Sequence, residues 1–100
     1  MKVNISSLHF KADVKLESFI TDKVTKVSQL FDGVMGADVT LRLDQSATNE
    51  NKIAEIRILI PGNDLFAKKQ AKSFEEAVDS AIEALKKQIT KQDRKSTRLN

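Results

Sequence analysis

Residues Ser73 to Lys91 constrain this chain most, because their spacing leaves one conformation open. Phe74, Ala77, Val78, Ala81, Ile82, Leu85 and Ile89 recur at intervals of three and four, which is one face of an α-helix. Ser73 suits the N-cap, and Glu76 three residues later completes a capping box. Charge is sorted along the axis. Glu75, Glu76, Asp79 and Glu83 sit towards the positive end of the helix dipole, and Lys86, Lys87 and Lys91 towards the negative end. The segment therefore has an apolar side that needs a core and a C-terminal half that is a basic rod.

The basic half stands out against the rest. From Lys86 onward there are six basic residues and one acid, Asp93, whereas residues 1–85 carry 11 basic and 13 acidic residues. The overall balance of +3 is ordinary, so it is the concentration at one end that points to a polyanionic partner.

The rest of the chain supplies that core. Lys2 to Ser6 alternates, with Val3 and Ile5 on one side, and reads as a strand. Asp13 caps a helix predicted to run to about Phe31, with Leu16, Ile20, Val24, Val27 and Phe31 inward and Lys15, Lys23 and Lys26 outward. Gly33 and Gly36 are read as the turn that stops it. Ala37 to Asp44 is a second strand with Val39, Leu41 and Leu43 inward. Gln45 to Asn51 is a polar loop, expected to be exposed and mobile. Ile53 to Ile60 is a third strand. Pro61 and Gly62 make a turn, since Pro presets φ and Gly accepts a positive one. Leu65 to about Lys72 returns as a fourth strand.

The order β-α-β-β-β-α implies a two-layer α+β domain. A four-stranded sheet carries both helices on one face, as in a double-stranded-RNA-binding domain. One hundred residues make one domain, expected over 1–92, with 93–100 a flexible basic tail. The other sheet face is left to water, with Ile53, Leu59 and Phe66 as its apolar residues.

Several function classes lose support at this point. There is one histidine, His9, and no Cys, Trp or Tyr, so neither a thiol nucleophile nor a disulfide is available. The carboxylates of the last helix are accounted for by its dipole. The three glycines lie in turns, and no phosphate-binding glycine loop exists. No catalytic residue, cofactor, metal or small-molecule substrate is expected. No apolar run spans a bilayer, and the N-terminus lacks a signal-peptide core, so a soluble cytoplasmic protein without a membrane partner is expected.

The residues assigned to RNA binding are Lys23, Lys26, Lys86, Lys87, Lys91, Arg94 and Lys95. The competing reading is a solubilising surface, which holds better for Lys15 and Lys52, whereas Asp93 is the one acid among the terminal cations. Lys68, Lys69 and Lys72 form a second cluster that strand geometry splits between two faces. With five aromatics in all, shape and phosphate recognition of folded RNA fits better than base stacking.

Met1 to Ser7, Phe19 to Phe31 and Ser73 to Lys91 resemble the ribosome hibernation-promoting factors, also called ribosome-associated inhibitors or sigma-54 modulation proteins. The resemblance extends over about Met1 to Lys95. It implies binding to the small ribosomal subunit and its RNA, alone or within the whole ribosome. The implied position is the messenger and transfer RNA channel near the decoding region. The implied outcome is inhibition of translation under stress or in stationary phase. Lys23 and Lys26 match basic positions of the family's first helix, Lys87 and Lys91 of its second, and Lys95 its basic extension. Lys86 and Arg94 rest on the charge pattern. The family often has an aromatic where Glu75 stands and a Lys where Ala84 stands. The match is to a short form without the long members' dimerisation domain, so a monomer is expected when free. A module that binds protein through the open sheet face, anchored by Ile53, Leu59 and Phe66, is the alternative from another class.

Overall fold

The structure, a computed structural model, describes residues 2–8, 10–31, 33–45, 49–62 and 64–99, with side chains as far as Gln88. In order these residues form β1 (Lys2–Ser7), α1 (Val14–Ser28), β2 (Gly36–Leu43), β3 (Lys52–Leu59), β4 (Leu65–Ala71) and α2 (Phe74–Leu99). The β-α-β-β-β-α order and the α+β class are those the sequence predicts. The loop expectation at residues 46–48 and the reading of His9 lie outside the described residues.

The four strands form one sheet in chain order, with β1 parallel to β2 and the other two pairs antiparallel. The inward residues run in rows across it. Ile5 sits opposite Val39, Val39 opposite Ile56, and Ile56 opposite Ala67. The next row runs Val3, Ala37, Ile58, Leu65. Because strand side chains alternate, both rows point to one face, and the helices cover that face. Ile20, Val24 and Val27 of α1 and Phe74, Ala77, Val78, Ala81, Ile82 and Leu85 of α2 complete the core. Phe10, in the connection before α1, stacks on Phe74 with ring centroids 4.7 Å apart.

Both helix starts are capped as the sequence predicts. The Asp13 carboxylate accepts from Leu16 N–H at 2.8 Å, and the Ser73 hydroxyl accepts from Glu76 N–H at 3.1 Å. The end of α1 differs from the prediction. The helix stops at Ser28, and two tighter turns follow, with Leu30 N–H donating to the Val27 carbonyl and Phe31 N–H to that of Ser28. At the end of α2 the helical backbone carries on to Leu99. The tail expectation for 93–100 concerns residues without described side chains.

Two glycines take different roles. Gly62 adopts φ 84° in the β3–β4 turn, as its place after Pro61 requires. Gly36 corrects the sequence reading: it is the first residue of β2 and pairs with Lys2. A Cβ there would lie 3.0 Å from the Lys2 carbonyl oxygen, so what matters is the close approach of two strands.

Candidate nucleic-acid interface

The two helices lie side by side, and a groove of about 480 Å³ runs between them. The 3.6-residue period that buries Val24 and Val27 places Lys23 and Lys26 on the flank of α1. From α2 come Asp79, Ile82, Glu83 and Lys86, so three of the seven predicted RNA-binding residues meet here. Each is already in company. Lys23 Nζ lies 3.3 Å from Asp79 Oδ1, bridging the helices, and 5.5 Å from the centroid of the Phe19 ring. Lys26 pairs with Asp22 at 3.1 Å, one turn away, and Lys86 with Glu83 at 3.8 Å.

The groove is thus a mixed surface. Asp79 and Glu83 were accounted for as partners of the helix dipole; packing α1 against α2 gives Asp79 a second role as counter-ion to Lys23. These pairs are solvent-exposed, and such pairs contribute about 0.2–1 kcal/mol each. A phosphate can replace a carboxylate held that weakly.

Lys87 stands apart. Consecutive helix residues are separated by about 100°, so Lys86 and Lys87 leave α2 on different flanks. Lys87 lines a second cleft, between α2 and β4, with Lys69, Ser80, Glu83, Ala84 and Gln88. Lys91, Arg94 and Lys95 occupy the helical backbone beyond it, and their side chains lie outside the described residues. Charge counting placed Lys69 in a second cluster with Lys68 and Lys72, split between two faces, and the alternation Leu65, Ala67, Lys69 turns it to the helix-bearing side of the sheet. That alternation was readable; the partner it finds there was not.

The open sheet face differs from its reading as a set of apolar anchors. Ile53 is only 6% exposed. Its cross-strand neighbours Arg42 and Gln70 flank it. Arg42 is held by Glu55 at 2.7 Å, and the Gln70 amide donates to Asp44 and to the Glu50 carbonyl. Phe66 is 42% exposed, with the Arg57 guanidinium 5.1 Å from its ring centroid. Fixed polar side chains therefore interrupt the apolar surface. Among the described residues no three His, Asp or Glu side chains are grouped to hold a metal ion, and no helix is long and apolar enough to cross a membrane.

Residues 3–97 match the family described as sigma 54 modulation protein / S30EA ribosomal protein. A ribosome hibernation promoting factor of Pseudomonas putida (strain KT2440) is 25% identical over 99 residues, which cover 99% of this chain and 93% of that protein. The fold is similar to that of a ribosomal subunit interface protein from Coxiella burnetii, with a TM-score of 0.81 at 15% identity. That match covers 94% of this chain and 99% of the other. It is also similar to the N-terminal domain of Protein Y from Thermus thermophilus, with a TM-score of 0.76 at 20% identity, covering 91% and 98%. At these identities the two structures speak to the fold.

Proposed function

Because this chain belongs to the sigma 54 modulation protein / S30EA ribosomal protein family, we propose that it is a ribosome hibernation factor. It binds the small ribosomal subunit in the messenger and transfer RNA channel near the decoding region, and inhibits translation under stress or in stationary phase. The observation that carries this reading is the pair of adjacent helices presenting Lys23, Lys26 and Lys86 in one groove, with Lys87 on the next flank of α2. The near full-length similarity to a ribosome hibernation promoting factor supports the choice of partner.

The mechanism needs no bond-making step. A rigid two-layer domain occupies space that messenger and transfer RNA require, and cations on its helices hold it there. Phosphate contacts fix its position, and each releases condensed counter-ions. Lys91, Arg94 and Lys95 extend the same basic run in the sequence. The groove Lys–carboxylate pairs open as phosphates arrive, at a cost of less than about 1 kcal/mol each.

Co-sedimentation with separated ribosomal subunits across a salt series tests the proposal. With five to seven phosphate contacts, affinity for the small subunit is expected to fall roughly 130- to 6,000-fold between 50 and 200 mM salt, from a slope of about 0.7 to 0.9 per contact. A folded protein that stays in the supernatant at low salt overturns the ribosomal reading.

The groove carboxylates make a second expectation. Asp79→Asn frees Lys23 from its 3.3 Å partner, and Glu83→Gln frees Lys86 from one of its own. Each change also removes a negative charge that faces RNA. Each variant is expected to bind small subunits about three- to tenfold more tightly at low salt, with the advantage shrinking as salt rises. Weaker binding by both would mean that these carboxylates position the lysines and do not compete with phosphate.

A further inference from the structure

The lysines divide by the company they keep. Lys23, Lys26 and Lys86 each have a carboxylate within 4 Å. Among the described residues Lys69 and Lys87 make no ion pair and no side-chain hydrogen bond. These two line one cleft, of about 440 Å³, along the seam between α2 and the edge strand β4.

The seam is built to stay open at this point. Lys69 lies opposite the fully buried Ala54 in the sheet, so its stem starts at the margin of the core and its ammonium reaches outward. Gln88 of α2 donates its side-chain N–H to the Phe66 carbonyl of β4 at 3.0 Å and ties the helix to the strand. Ser80 adds a hydroxyl to the lining, and Ala84 leaves room between the cations. Among the described lining residues Glu83 is the one acid, and its carboxylate is 3.8 Å from Lys86 on the other flank.

We propose that the α2–β4 cleft is a phosphate-binding site for the RNA backbone, with Lys69 and Lys87 as its two cations and Ser80 as a hydroxyl donor. The inference rests on the ribosomal reading above and adds to it a second contact surface, on the opposite flank of α2 from the interhelical groove. The physical preference is direct. A phosphate entering the groove must displace a carboxylate, whereas one entering the cleft lands between two cations that make no ion pair among the described residues. Lys69 then becomes an RNA-contacting residue supplied by the sheet. Helix α2 is gripped from both sides.

The test is co-sedimentation of the full chain with small ribosomal subunits, comparing Lys69→Glu with Lys68→Glu. Lys68 is the adjacent residue on the opposite sheet face, so the two variants change net charge equally. Lys69→Glu is expected to weaken binding tenfold or more, and Lys68→Glu less than about threefold. Lys69→Ala, which places no new acid beside Glu83, is expected to lower the log–log salt slope by about 0.7 to 0.9, the value of one lost phosphate contact. Circular dichroism confirms that each variant is folded. Equal weakening by the Lys69 and Lys68 reversals overturns the cleft while leaving the ribosomal reading intact. If the unaltered chain fails to sediment with small subunits, the ribosomal reading fails and the cleft proposal with it.

Discussion

The double reversal Lys87→Glu/Lys91→Glu is expected to abolish co-sedimentation with the small ribosomal subunit at physiological salt. Two effects add. Each substitution removes a cation from the stretch where six basic residues meet one acid, and each places a carboxylate where a phosphate would approach. Hydrogen bonds to charged groups contribute about 1.5–3 kcal/mol, of which an exposed site retains a part. Loss plus repulsion at two positions comes to about 3–4 kcal/mol, roughly a 100- to 1,000-fold loss of affinity. Lys87 is exposed and makes no ion pair among the described residues, so folding should not suffer. Thermal unfolding within about 2 °C of the unaltered chain would separate lost binding from lost structure. A variant that is folded and still binds at physiological salt would remove the basic rod of α2 from the mechanism.

Leu85→Ala is the change expected to cost most stability. Leu85 has no exposed surface and closes the core beneath the half of α2 that carries Lys86 and Lys87. Leu-to-Ala truncation at such a position removes about 2–5 kcal/mol, from lost transfer energy and the cavity left behind. A domain of this size has about 5–15 kcal/mol in total. A loss of about 3 kcal/mol therefore lowers Tm by roughly 12–24 °C, at about 4–8 °C for each kcal/mol. Urea unfolding measures the loss directly. A change below about 1 kcal/mol would mean that α2 repacks over the sheet. At temperatures where it remains folded, the variant should still bind small subunits, the converse of the lysine reversal.

The element order and most of the core were legible in the residues. Val39 and Leu41 in β2 and Ile56 and Ile58 in β3 alternate with polar neighbours, and Val78, Ala81, Ile82 and Leu85 keep the helical period. Burial follows period 2 or 3.6 whatever the element packs against. The caps Asp13 and Ser73 were legible because a cap acts within three residues of itself. The end of α1 was harder. Leu30 and Phe31 continue the apolar spacing, and nothing local says that the chain tightens after Ser28.

For the candidate interface, charge counting found which end of the chain is basic and not how its lysines are grouped. Residue order alone determined the β-α-β-β-β-α domain, its one apolar sheet face and the basic run from Lys86 onward. Each is a property of neighbours along the chain. Only the tertiary structure decided that Asp79 answers Lys23, that Lys69 and Lys87 line one cleft, that Ile53 lies between Arg42 and Gln70 in the sheet, and that β1 passes close beside Gly36. Those facts depend on strand register and on where one helix lies against another. Both are set by packing between residues far apart in the chain, which local periodicity does not encode.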